Sequence, residues 1–173
     1  MSPLPFATQN EPCGVREKKS MDRRLMFRLA AVGGALAVLV GGAGAEETKK
    51  KKQHKLVLHV GANDLNSMKT ALGNAKNAYE LYAKRGESLA IEIVANSGGL
   101  NMFRDDTSPV KQQIAELRKV DPNVVLSGCN NTKVTMEKLE GKEIAIIPEA
   151  RLVPAGVVRM VELEEQGYAY VRP

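Results

Sequence analysis

The sequence predicts an α/β domain built on a mainly parallel sheet with helices over both faces, and three observations carry that prediction. After residue 53 the chain shows short, nearly continuous apolar runs, with amphipathic stretches of helical period between them. Gly, Pro, Asn and Ser clusters mark each change from one to the other. Unbroken apolar runs suit strands that are covered on both sides, as parallel sheets are, whereas strands with one wet face alternate. Strand and helix in turn give parallel pairing by crossover connections.

The first strand is read at residues 56–60, where Leu56-Val57-Leu58-His59-Val60 stops at Gly61. Asn63-Asp64 supply capping oxygens to a helix in which Leu65, Met68, Leu72, Ala75, Tyr79 and Tyr82 recur at spacings of three and four; Lys84, Arg85 and Gly86 close it. Residues 89–95 form the second strand, broken by Asn96-Ser97-Gly98-Gly99. Ser108 as N-cap and Pro109 at the first helical position predict a second helix with Val110, Ile114 and Leu117 on one face, ending at Asp121-Pro122. Val124-Val125-Leu126 is the third strand, and Ser127-Gly128-Cys129-Asn130-Asn131-Thr132 turns into a third helix that stops near Gly141. Residues 144–147 read equally as a short strand or a packed loop, because Pro148 cuts them short. Arg151-Leu152-Val153 is the fourth strand, residues 155–166 the fourth helix and residues 168–171 the last strand.

Charge excludes one class of partner. The 173 residues carry a formal charge of +5, but six basic and three acidic residues lie in the first 45, and Lys49, Lys50, Lys51 and Lys52 precede the first strand. From Gln53 onward basic and acidic residues balance, which gives little support to a phosphate-binding surface, and no nucleic-acid partner is expected.

The amino terminus reads as an export signal. Asp22-Arg23-Arg24-Leu25-Met26-Phe27-Arg28 is charged, residues 29–45 carry no charge and are mostly Ala, Gly, Val and Leu, and Ala43-Gly44-Ala45 is a small-x-small cleavage pattern before Glu46-Glu47. Arg23-Arg24, a variable residue, two apolar residues and Arg28 fit twin-arginine export as well as ordinary secretion. The apolar part is short and glycine-rich for a membrane span, so no stable insertion is expected after cleavage. The expected organisation is residues 1–45 as signal, with Met21 an alternative start, 46–53 as basic linker and 54–173 as domain. The expected location of the cleaved protein is periplasmic. Cys13 then belongs to no mature protein.

In an open parallel sheet function gathers at the carboxyl ends of the strands. Cys129 is the leading candidate there, since it follows a strand and precedes a helix whose unpaired N–H groups favour a thiolate. That form can accept sulfur, attack a disulfide or bind a soft metal such as Cu(I); an inert buried cysteine is the plain alternative. His59, near the end of the first strand, can stabilise a thiolate or move a proton, or serve as a hydrogen-bonded core residue. Asn63, Asn96, Ser97, Asn130, Asn131 and Thr132 give the crevice neutral donors and acceptors, and each is also a good cap or turn former. There is no Cys/His cluster of metal-site spacing and no nucleotide-binding glycine loop, so no metal or cofactor is expected.

Cys129-Asn130-Asn131-Thr132 after a hydrophobic strand, Val153-Pro154-Ala155-Gly156-Val157, Glu164-Glu165-Gln166-Gly167-Tyr168 and the terminal Tyr170-Val171-Arg172-Pro173 together resemble the DsrE/DsrF-like sulfur-relay family. The resemblance runs from about Lys55 to Pro173. It implies a three-layer α/β/α fold with a five-stranded parallel sheet, assembly as a homotrimer or homohexamer, and sulfane sulfur carried as a persulfide on the position of Cys129. The export signal departs from the family's cytoplasmic members. The expected function is a periplasmic sulfur carrier or sulfurtransferase-like protein that exchanges sulfur with donor and acceptor thiols, on proteins or small molecules. The alternatives are a small-ligand or soft-metal binding module and a non-catalytic oligomeric interaction protein. For assembly the sequence offers the stripe of Met68, Leu72, Tyr79 and Tyr82, which either packs on the protein's own sheet or covers a neighbour.

Overall fold

The computed structural model describes residues 53–173; the expected export signal and nearly all of the expected basic linker lie outside the described residues. The elements run β1 (Gln53–Val60), α1 (Leu65–Lys84), β2 (Ser88–Ala95), a 3-10 helix (Ser97–Phe103), α2 (Lys111–Val120), β3 (Val125–Cys129), α3 (Asn130–Glu140), β4 (Arg151–Val153), α4 (Gly156–Glu165) and β5 (Ala169–Val171). All five strands are parallel, in the order β4-β3-β2-β1-β5. Crossovers between parallel strands are right-handed, and this fixes the layers. The three steps from β1 to β4 move one way along the sheet and place α1, α2 and α3 on one face. The last connection returns past β3, β2 and β1, and α4 therefore lies on the other face. A five-stranded α/β/α sandwich is the result, as the sequence predicts.

Register decides which residues meet each layer. Leu58, Ile93 and Leu126 stand side by side across β1, β2 and β3. With Leu56 and Ile91 they meet Met68, Leu72, Ile114, Leu117 and Phe103 in the main core. On the opposite face Val57 and Val94 meet Met160 and Leu163 of α4 in a much smaller cluster. One ten-residue helix covers that whole face. His59, Glu92, Ser127 and Cys129 alternate into it with Val57 and Val94.

Asp64 caps α1, accepting the Ser67 N–H at 2.7 Å. The α1 stripe packs inward: Met68 and Leu72 are buried in the main core and Tyr79 rests against it. Of the two roles open to that stripe, covering the chain's own sheet is the one observed.

Three boundaries differ from the sequence reading. Ser108 is not the N-cap of α2: the helix opens two residues after Pro109 with Val110 as N-cap, while the Ser108 hydroxyl donates to Met102 O at 2.5 Å and accepts the Val110 N–H at 3.4 Å. β3 runs on through Ser127-Gly128-Cys129, so those residues are strand and the turn into α3 takes no loop at all. Residues 144–147 are a packed loop with one antiparallel bridge, Arg104 to Ile146. Arg104 is buried and ion-paired with Asp106 and Glu140, which ties the end of α3 to the 3-10 helix. β1 also begins at Gln53, one residue before the expected domain boundary.

Gly98 and Gly99 let the 3-10 helix lie against the end of β1. A Cβ at Gly99 would fall 2.1 Å from Val60 O, and one at Gly98 2.7 Å from Asn63 N. Both obstacles are backbone and cannot swing aside. We predict that Gly99→Ala destabilises the fold by roughly 3 kcal/mol, the upper end of overpacking costs, as read by denaturant unfolding. An unchanged midpoint would show that the 3-10 helix can shift freely.

Candidate functional site

Neighbouring strands whose outgoing connections leave to opposite faces open a crevice at their carboxyl ends. β3 and β4 are such a pair, since α3 follows the one and α4 the other. Cys129 is the last residue of β3 and the N-cap of α3. Gly156, the first residue of α4, stands against it: a Cβ there would meet Cys129 Cβ at 3.3 Å and Asn96 Cβ at 3.1 Å. The only free cysteine among the described residues therefore sits at the topological switch of the sheet, 6% exposed.

Burial pushes the Cys129 thiol up, but four hydrogen-bond donors outweigh it and the net shift is down: the Thr132 hydroxyl and the backbone N–H groups of Gly156, Thr132 and Asn131. Thr132 offers its N–H because the first turn of a helix leaves such groups without a helical partner, and Asn131 shares its N–H between the sulfur and Pro154 O. Gly156 adds the same kind of donor from the start of a second helix. Asn131 N–H also reaches Pro154 O at 3.3 Å, which stitches α3 to the β4–α4 link.

Thr132 is held in turn. Its Oγ1 accepts the Ser97 N–H at 3.1 Å, leaving its own proton for the sulfur. Ser97 adopts φ +46°, the left-handed region that costs a non-glycine residue energy and that clusters at functional sites. Beside it, Asn96 Oδ1 lies 3.0 Å from His59 Nε2, and His59 Nδ1 lies 2.7 Å from the Tyr170 hydroxyl. An amide oxygen only accepts, so Nε2 carries the hydrogen and Nδ1 faces a group able to give or take one.

The structure thus brings Cys129, Asn96, Ser97, Asn131 and Thr132 together. His59 enters through Asn96 rather than by touching the sulfur. Asn63 is drawn elsewhere: its Oδ1 accepts from Asn101 Nδ2 at 3.0 Å, and Asn101 Oδ1 accepts from Thr107, so it pins the β1–α1 loop to the 3-10 helix. Asn130 is half-buried in the first turn of α3.

Sequence reasoning missed Gly156 and Tyr170 as parts of the site. It also missed Glu92, 2% exposed within β2, which accepts from Ser127, Arg151 and Arg159. A lone carboxylate inside an apolar strand was the available signal. Among the described residues no group of three His, Cys, Asp or Glu side chains could hold a metal ion.

No protein-family model matches the chain, and no curated protein matches it. Among solved structures the chain is similar to a protein of unknown function, MTH1491 from Methanobacterium thermoautotrophicum. The two are 29% identical and align over 69% of this chain and 99% of that one, with a TM-score of 0.57. The likeness supports the fold described above.

Two outcomes follow from the donor set. Thr132→Val removes the hydroxyl at Cys129 and the acceptor for Ser97, and is expected to raise the thiol pKa, with Thr132→Ser restoring it; alkylation rate against pH measures this. The thiol pKa is lower in the folded than in the unfolded chain, so between those two values the native state binds fewer protons. Stability from this group is complete above the unfolded value and is lost as pH falls through the folded one. The difference in thermal midpoint between wild type and Cys129→Ser should therefore grow in favour of wild type as pH rises through that window. A flat difference would mean that the donors do not act on the thiolate.

Proposed function

We propose that the protein is a periplasmic sulfur carrier or sulfurtransferase-like protein that holds sulfane sulfur as a persulfide on Cys129. The observation that carries this reading is the place of Cys129, the last residue of β3 and the N-cap of α3, with the start of α4 packed against it at Gly156 and with the Thr132 hydroxyl and nearby N–H groups lowering its pKa. A thiolate prepared in this way attacks the outer sulfur of a donor persulfide, R–S–SH. The donor S–S bond breaks, a new S–S bond forms on Cys129, and R–S⁻ leaves and takes up the proton. An acceptor thiolate then attacks the outer sulfur and returns Cys129 to its starting form. No net oxidation occurs in either half. His59, paired with Tyr170, is positioned to move a proton beside Asn96. Export to the periplasm rests on the signal read in residues 1–45, with cleavage after Ala45.

Assembly as a homotrimer or homohexamer belongs to the same proposal. Support comes from α4, where Val157, Val158 and Val161 are 60%, 54% and 50% exposed. This surface also favours an interaction protein as the second reading, since buried neighbours would be its whole purpose. No helix among the described residues is long and apolar enough to cross a membrane.

Mass spectrometry after exposure to polysulfide, and separately to thiosulfate, distinguishes the two readings. We expect one added sulfur atom on Cys129, released by a small thiol and absent in Cys129→Ser. A protein that takes no sulfur from either donor and alkylates slowly would leave the interaction reading. Light scattering on the chain from Glu46 should give a trimer or hexamer, and a monomer at micromolar concentration would remove the assembly.

A further inference from the structure

We propose that the pairing of buried Glu92 with half-buried Arg159 is the device that seats Gly156 against Cys129, which makes Glu92 and Arg159 positioning residues of the thiol site. The inference rests on the reading of Cys129 as the functional thiol. Arg159 Nε and Nη2 each donate to Glu92 at 2.8 Å, a two-pronged fork. Ser127 Oγ donates to the same carboxylate at 2.6 Å, and Arg151 adds Nη2 at 3.2 Å while its Nε reaches Ser127 Oγ at 3.2 Å. One carboxylate thereby joins β2, β3, β4 and α4.

Stability alone is a poor reason for such a group. An apolar pair of like volume commonly serves a buried position as well as an ion pair does. What the fork adds is direction, because a guanidinium meets a carboxylate in one plane and at one distance. Other ties on α4 are few: Met160 and Leu163 rest on Val57 and Val94, Asn131 N–H meets Pro154 O just before the helix, and Lys55 Nζ donates to Gln166 O at its end. Ridge packing of so few side chains leaves a helix room to roll or slide. Arg159 stands three residues beyond Gly156, on the same side of the helix one turn away. Fixing its guanidinium on Glu92 fixes how far along the sheet, and at what rotation, the Gly156 N–H arrives. There is little slack on the near side, given Cβ approaches of 3.1 Å to Asn96 and 3.3 Å to Cys129.

The test is the double substitution Glu92→Met with Arg159→Leu, which keeps volume and removes no net charge. Direct Coulomb effects on the thiol are therefore small. We expect a folded protein with a similar thermal midpoint, a thiolate fraction about tenfold lower at neutral pH, and a Gly156 amide resonance that no longer follows the thiol titration. A folded double variant with unchanged alkylation profile and unchanged Gly156 response would overturn the proposal. Arg159→Lys keeps the charge and loses the fork, so it serves if the double variant does not fold: an unaltered thiol profile there overturns the proposal equally. Failure of the sulfur-carrier reading looks different, since it is a wild-type Cys129 that takes no sulfur while the variants still differ in thiol pKa.

Discussion

A parallel crossover has only one comfortable hand, and the site depends on that constraint more than on any single contact. Because β4 lies beyond β3 and the chain must then return to pair β5 with β1, α4 is forced onto the face that α1, α2 and α3 leave bare. The ends of β3 and β4 consequently diverge, and the first turns of two helices on opposite faces point at the same few ångströms of space. Cys129 occupies that space as the last strand residue and the first cap. Neither helix could supply all the donors. Asn131 and Thr132 come from one and Gly156 from the other.

The same constraint distributes polarity between the two faces. The α1, α2 and α3 side has three helices to cover it and is closed by Leu58, Ile93, Leu126 and Phe103, all fully or nearly fully buried. The α4 side has one short helix and a four-residue apolar cluster. A thinly covered face tolerates polar side chains, provided that each finds partners. Glu92 finds three, and His59 finds two. Burial alone would push the Glu92 carboxyl up; the hydrogen bonds from Arg159 and Ser127 and the nearby Arg151 charge hold it below the ordinary carboxylate value. The chemistry of the domain is therefore concentrated on the side where packing is weakest.

The strands and the sense of the sheet were legible in the sequence because Val57-Leu58 and Ile93-Val94-Ala95 are apolar without interruption, a pattern that only two-sided burial explains. Cys129 was legible for the same reason, as the residue between a strand and a helix. The start of α2 was not, because the Ser108 hydroxyl is tied to Met102 O and accepts only the Val110 N–H at 3.4 Å, and the helix begins later with Val110 as its N-cap. Nor was the length of β3: Ser127-Gly128 reads as a turn by residue type, yet Gly128 is needed where a side chain would meet Leu100 at 2.9 Å, and Ser127 is needed as a donor to Glu92. Local residue preference failed at the positions where tertiary partners claimed the same atoms. Gly156 and Tyr170 reach the site across the sheet from distant sequence, and no local spacing could have shown either.

The character of the donors bears on what the thiol can do. Every group that lowers the Cys129 pKa is a neutral dipole, three peptide N–H groups and a hydroxyl, set against the cost of burial. A cation in contact would depress the pKa much further, and a thiolate loses nucleophilicity as its pKa falls. Attack on sulfur is fastest when the thiol pKa lies near the ambient pH, so a moderate shift from dipoles preserves more reactivity than a large one from a charge. Dipoles have a second consequence. A persulfide moves the negative charge outward by one sulfur, and fixed N–H groups around the inner sulfur then release it without a new counterion being required. The strained Ser97 backbone fits the same logic, because its N–H occupies the Thr132 oxygen and leaves the hydroxyl proton one direction in which to point. Both protonation and aim are thus set by peptide N–H groups and one hydroxyl, none of which titrates near neutral pH.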